Sequence, residues 1–221
     1  MSLAPVLTLD GPSGAGKGTI GQLCAVKLGW HYLDSGAIYR GLAWLADQEH
    51  VASDDVSGLV ALADSMQLIC HICTTDSALI EINGQMVTEQ LRTDEAGQLA
   101  SKIAPIVEVR AALLKMQQRC RKAPGLVADG RDMGTTVFQN AQYKVFLTAS
   151  AEIRAQRRYQ QLKASGIDVN LARLLESIQA RDVRDSSRDA SPLKPAEDAL
   201  VLDTSELNID EVVTRILALI I

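Results

Sequence analysis

One lysine set among glycines has the clearest chemical purpose in this sequence. Gly11-Pro12-Ser13-Gly14-Ala15-Gly16-Lys17-Gly18-Thr19 follows the apolar run Val6-Leu7-Thr8-Leu9-Asp10 and precedes a helical pattern that begins at Ile20. Gly11, Gly14 and Gly16 let the backbone curl until successive N–H groups converge on one point. Lys17 adds a full positive charge, and the helix starting near Gly18 adds free N–H groups and the positive end of its dipole. A strand, turn and helix in this order bind the phosphates of a nucleotide. Lys17 is expected at the mouth of a solvent-exposed loop.

Other charged residues suit the same anion. Leu126-Val127-Ala128-Asp129 reads as a buried strand ending in an acid, and an acid so placed after a phosphate loop commonly holds Mg²⁺ directly or through water. Asp129 and, in the loop, Thr19 are the candidate metal contacts. Asp34-Ser35-Gly36 stands at the end of a second strand, the edge where open α/β sheets bind ligands, and Arg40 in the helix that follows is a candidate phosphate clamp. Half of the fourteen arginines (Arg154, Arg157, Arg158, Arg173, Arg181, Arg184, Arg188) fall within 35 residues. Arg181, Arg184 and Arg188 are spaced to share one helix face, with Asp185 one turn after Arg181. Two arginine-bearing helices joined at Ser165-Gly166 describe a lid, held open or mobile by mutual repulsion until bound phosphates draw it shut.

The elements that must position these residues alternate between strands and helices, which gives an α/β class with a central parallel sheet. The strands are expected at Val6–Asp10, Trp30–Leu33, Leu126–Asp129, Tyr143–Leu147 and Leu200–Thr204. Between the second and third lies an insert: Ser53-Asp54-Asp55 caps a short helix, and Leu68–Ile72 and Leu79–Val87, the latter with Asn83-Gly84 at its turn, form a small antiparallel sheet. A helical stretch containing Ser101 and Pro105 and a second helix carrying Arg110, stopped by Pro124-Gly125, complete that half. Ser150 caps the first lid helix, and Asn208 to Glu211 resembles a capping box. The expected division is core 1–38, insert 39–100, core 101–150, lid 151–190 and core 191–221.

At 221 residues, one main domain with attachments is expected. Lys+Arg number 22 against Asp+Glu 27, so no global field attracts nucleic acid or anionic lipid, and any polyanion site is local. Cys70 and Cys73 on one strand point to opposite faces, so neither they nor the scattered Cys24 and Cys120 form a metal cluster; all four read as core or half-buried thiols. His31, His50 and His71 have no partner cluster. No signal-peptide pattern opens the sequence and no apolar run reaches the ~18–20 residues of a spanning helix, so a cytoplasmic protein with reduced cysteines is expected, and a monomer.

The Gly-Lys-Gly-Thr order, with glycine directly after the lysine, is similar to that of nucleoside monophosphate kinases rather than switch GTPases. With Leu33-Asp34-Ser35-Gly36-Ala37-Ile38-Tyr39-Arg40, Ala128-Asp129-Gly130-Arg131-Asp132-Met133-Gly134-Thr135 and Arg181-Asp182-Val183-Arg184-Asp185-Ser186-Ser187-Arg188, nearly the whole chain resembles the bacterial cytidylate kinase family. The resemblance implies a P-loop kinase fold with an enlarged monophosphate-binding insert and a helical lid, and ATP-dependent phosphorylation of CMP and dCMP with Mg²⁺. It implies that Gly11 to Thr19 hold ATP with Arg154 and Arg157, and that Lys17, Arg131, Arg184 and Asp129 serve the transfer. Ser35, Tyr39, Arg40, Ser101, Arg110, Arg131, Asp132, Arg181, Asp185 and Arg188 would bind CMP. Among these, Asp132 can accept from the cytosine N4 amino group while Arg110 and Ser101 donate. The competing readings are a related kinase of UMP or dTMP and a nucleotide-binding protein without turnover; no Asn/Thr-Lys-x-Asp guanine motif supports a GTPase.

Overall fold

The computed structural model describes residues 3–71, 79–164 and 166–220. Its centre is a five-stranded sheet in which every pairing is parallel: β1 (Val6–Asp10), β2 (His31–Asp34), β6 (Leu126–Asp129), β7 (Tyr143–Thr148) and β8 (Leu200–Asp203), in the order β2-β6-β1-β7-β8. β1 and β6 are buried along their whole length, as continuous apolar runs covered on both faces require. The register sets Leu9 beside Asp129 and Asp129 beside Asp34, so three chain segments deliver acidic residues to one carboxyl edge. The chain leaves β1 toward β2, and β7 lies on the other side, so this edge is also where the strand order reverses.

Helix α1 (Lys17–Leu28) continues from the glycine loop and α2 (Ser35–Gln48) from β2. The insert is built on α2. It comprises α3 (Val56–Ser65), capped by Asp55, the antiparallel strands β3 (Leu68–His71), β4 (Leu79–Ile82) and β5 (Gln85–Met86), and the helices α4 (Thr88–Leu91) and α5 (Asp94–Ile103). Asn83 and Gly84 both have positive φ, 48° and 83°, as the tight turn between β4 and β5 demands. The insert sheet seats against α2 at Gly41, where an added Cβ would stand 2.6 Å from Ile82 Cδ1.

Two helix ends differ from expectation. Pro105 lies in the connector between α5 and α6 (Val107–Arg119), because a proline inside α5 would remove a ladder donor and clash with the preceding turn. Likewise α6 ends at Arg119, well before Pro124. Ile72, Cys73 and Ser165 lie outside the described residues; Cys24 is buried, and Cys70 and Cys120 are half-buried with their thiols pushed up by burial.

Beyond β7, α7 (Ala151–Ala164) and α8 (Leu171–Ser186) pack as a hairpin, with Ser150 and Asn170 capping their starts, and α9 (Ile209–Leu217) closes on α1 behind the capping box of Asn208 and Glu211. Among the described residues no helix is long and apolar enough to cross a membrane.

Candidate active site

The glycine loop is shaped by close approach as much as by torsion. Gly11 has φ 147°, and a Cβ there would stand 2.0 Å from the carbonyl oxygen of Leu147 on β7, so no side chain fits. Gly14 and Gly16 have φ 80° and 89°, and Gly16 caps α1. Lys17 is 6% exposed, not at the mouth of the loop: its ammonium folds back and donates to the Pro12 carbonyl at 2.9 Å. Burial and then Arg131 push its pKa down, while Asp129 and Asp10 pull it back up. Burial raises Asp129 in turn, and Lys17 opposes the rise.

Asp129 accepts from Tyr32 Oη at 3.1 Å and lies beside Gly18, with Oδ2 3.6 Å from where a Cβ at that position would be. Glycine after the lysine thus leaves room next to the carboxylate, and Thr19, one residue on, is exposed. No group of three or more His, Cys, Asp or Glu side chains able to hold a metal occurs among the described residues. This donor set fits Mg²⁺, which keeps several waters and binds through one or two carboxylates plus substrate phosphates.

Asp10, at the end of β1, accepts from the backbone N–H groups of Met133 and Gly134, both at 2.8 Å, and burial lifts its carboxyl to about 7 against those two bonds. These bonds seat a π-helical turn, Met133–Val137, directly after Asp132. Asp132 is 5% exposed and is bound by Arg110 Nη2; Arg110 also donates to the Ala104 carbonyl at 3.1 Å and lies 5.9 Å from the centre of the Tyr39 ring. Burial moves the Tyr39 phenol up to about 12, so it remains protonated at neutral pH. Ser101 sits one turn before Ala104 on α5, half-buried.

The remaining arginines gather around too few carboxylates. Asp34 caps α2 by accepting from Ala37 N–H at 2.9 Å and also takes Arg40 Nη2 at 3.0 Å, next to the buried Ser35. Arg131 Nε donates to Asp185 Oδ2 at 2.9 Å, and Arg188 approaches Asp185 Oδ1 at 3.7 Å. Burial acts to raise the Asp185 carboxyl, but Arg131, Arg188 and Arg181 hold it below its ordinary value. Arg181 is pushed down to about 10 by burial and by neighbouring cations, first Arg131 and then Arg40 and Arg184. Arg40 Nε, Arg181 Nε and Arg188 Nη2 are buried without a hydrogen-bond partner. Unpaired buried donors on guanidinium groups call for an anion.

A comparison with known sequences decides the family. The family model described as "Cytidylate kinase" matches residues 7–221. The chain belongs to the cytidylate kinase family. It is 54% identical over 216 residues to the cytidylate kinase of Aeromonas hydrophila, covering 98% of this chain and 94% of that protein. To the cytidylate kinase of Methylococcus capsulatus it is 54% identical over 219 residues, covering 98% and 96%. Among solved structures, an uncharacterized protein from Eubacterium ventriosum aligns with TM-score 0.51 at 8% identity, covering 97% of this chain and 96% of that one, and shares the fold alone.

In this cytidylate kinase family member, the sequence-chosen residues Lys17, Asp129, Arg131, Arg40, Arg181, Asp185 and Arg188 are linked by the bonds and electrostatic interactions just described, and Arg110 and Asp132 form a second group with Tyr39. Arg154 and Arg157 are both held by protein groups, and Arg154 reaches the phosphate loop itself through the Ser13 carbonyl. Arg154 is buried and fully committed to protein groups, and Arg157 donates to Thr204 Oγ1 at 3.1 Å and to its carbonyl at 2.5 Å. Arg184 is exposed. In this structure the hairpin is tied to the core by Asp185 with Arg131, and its two helices are joined by Asp182 with Arg154. Sequence reading gave no role to Asp10 or Tyr32, and gave Asp34 only a place at the ligand-binding edge. The signal for Asp34 was its place three residues before the N–H it caps; Asp10 had none, since its partners lie more than 120 residues away.

Proposed function

We propose that this protein transfers the terminal phosphoryl group of ATP to the phosphate of CMP or dCMP by direct in-line displacement. The observation that carries this reading is the set of buried guanidinium donors left without a hydrogen bond, Nε of Arg40 and of Arg181 and Nη2 of Arg188, the last no closer than 3.7 Å to Asp185, beside a phosphate loop. Family membership supports the choice of acceptor.

The reaction needs alignment and charge neutralisation rather than a covalent intermediate. The loop N–H groups and Lys17 hold the ATP phosphates, with Lys17 leaving Pro12 for a phosphate oxygen. Asp129, through water, and Thr19 would hold Mg²⁺, which supplies further neutralisation of the phosphate charge when bound. Arg40, Arg131 and Arg188 clamp the CMP phosphate, with Arg181, Asp185 and Ser35 at its nucleoside side. Arg131 and Arg184 neutralise the transferring group. Arg110 occupies Oδ2 of Asp132, leaving Oδ1 to accept from the cytosine amino group, with Arg110 and Ser101 donating to the base and Tyr39 supporting Arg110. Uracil would present an acceptor to that carboxylate.

In this reading residues 39–100 form the monophosphate-binding insert and 151–190 the lid, and the enzyme works as a cytoplasmic monomer. The test is ADP formation with Mg²⁺ and ATP, using CMP, dCMP, UMP, AMP and dTMP as acceptors. CMP and dCMP are expected to lead. Preference for UMP or dTMP overturns the assignment of the base site, and acceptor-independent ATP consumption overturns the kinase reading.

A further inference from the structure

Arg154 is built into the outer wall of the phosphate loop. Its Nε donates to the Ala149 carbonyl at 2.9 Å and its Nη1 to the Ser13 carbonyl at 3.0 Å. Asp182 on α8 grips the same guanidinium with both oxygens, Nη1 to Oδ1 at 3.0 Å and Nη2 to Oδ2 at 2.5 Å. The arginine's own Cβ lies 3.1 Å from where a Cβ of Gly14 would be, so stem and head both bear on the loop.

Two consequences follow from peptide geometry. The linkage between Ser13 and Gly14 is planar and trans, so drawing the Ser13 carbonyl toward Arg154 turns the Gly14 N–H to the opposite side of the loop. The orientation of one loop donor therefore depends on where the Arg154 guanidinium rests. The second consequence runs along α8. Arg181, adjacent to Asp182, places Nη1 3.5 Å from Ser13 Oγ, the outer limit of a hydrogen bond, and Asp185 and Arg188 follow on the same helix. Ser13 is thus held by its carbonyl from α7 and approached at its hydroxyl from α8, and Asp182 joins the two helices at that point.

We infer that Asp182 is a positioning residue: through Arg154 it fixes the Ser13–Gly14 peptide of the phosphate loop and links the order of that loop to the arginines of α8. The inference rests on the proposed function for the identity of the two ligands. Its prediction is reciprocal coupling, in which the triphosphate tightens the monophosphate site and the reverse by the same factor.

The experiment is calorimetric titration of Mg²⁺ with AMP-PNP, and of CMP, each alone and with the other present. The proteins are the wild type, Asp182→Asn, Arg154→Lys and the double variant. Lysine keeps the charge but loses the two-pronged geometry. In the wild type AMP-PNP should tighten CMP about fivefold or more. Each single variant should weaken AMP-PNP about tenfold, as expected for a lost charge-assisted pair, and the double variant no more than either single. CMP alone should bind within about twofold of wild type in both single variants, while its tightening by AMP-PNP falls toward onefold.

Unchanged AMP-PNP affinity, losses that add in the double variant, or equal weakening of CMP with and without AMP-PNP overturns the inference. So does a fall in Tm with ligand affinities intact, which assigns the pair to stability alone. Should Asp182→Asn fail to fold, Arg154→Lys decides. A wild type that binds AMP-PNP but not CMP defeats the functional reading, and the AMP-PNP measurements then still decide whether Asp182 positions the loop.

Discussion

The glycine loop and the arginine cluster both await phosphate, but they are built from different material. The loop is mostly backbone: its donors are peptide N–H groups, its glycines are imposed by torsion and by the Leu147 carbonyl against Gly11, and its one cation already has Pro12, Asp129 and Asp10 for company. The cluster is all side chain. Arg40, Arg131, Arg181 and Arg188 share Asp34 and Asp185, and three of their buried donors make no hydrogen bond. A backbone site is ready whether or not anything is bound. A side-chain site of surplus guanidinium groups depends on the ligand to balance it.

The largest test of that contrast is Lys17→Ala. Because Lys17 is the loop's single full charge, single-turnover transfer should fall about a thousandfold or more, on the scale set by other cations that neutralise a transferring phosphoryl group. Transfer near the wild-type rate would mean that the backbone alone suffices. Arg188→Ala comes next. It should raise KM for CMP roughly ten- to a hundredfold, the weight of hydrogen bonds to a charged group, with KM for ATP within about twofold. If both constants rose together, the two sites would be one.

Asp132→Ala sharpens the comparison within the acceptor side. Loss of an acceptor for the cytosine amino group should lower kcat/KM for CMP about ten- to a hundredfold and change that for UMP far less, so the CMP:UMP ratio narrows. Equal loss with both substrates would make Asp132 a support for Arg110 only. The smallest effect concerns stability. Asp185 is held below its ordinary value of 3.8, so its contribution is complete above that pH and is lost as pH falls through the lower, folded value. Asp185→Asn should lower Tm by a few degrees at pH 7, and the gap to wild type should close in acid below about pH 4. A gap independent of pH would mean that packing, not charge, is what the substitution removes.

The same contrast explains what could be read from the sequence. The loop is contiguous, and its chemistry is written in residue order from Gly11 to Thr19; the hairpin at Asn83-Gly84 and the caps at Asp55, Ser150 and Asn208 are local for the same reason. The strands follow from apolar runs, and the parallel sheet from their alternation with helices. The acceptor side is assembled from α2, α6, the segment after β6 and α8, and its bonds span separations such as 22 residues for Arg110 with Asp132 and 54 for Arg131 with Asp185. No periodicity encodes those pairings, and only the family resemblance brought the residues together. Lys17 is buried where Asp10 and Asp129 act on its charge, from two strands that the fold places side by side.

The surplus of guanidinium groups also bears on traffic through the site. In a chain of net charge −5, this local positive region draws anionic nucleotides inward against the background field, and dissolved salt weakens that attraction. CDP leaves with one phosphate more than CMP brought, so the attraction that speeds arrival holds the product harder. Raising ionic strength should therefore lower kcat/KM for CMP, while kcat holds steady or rises if departure of CDP limits turnover.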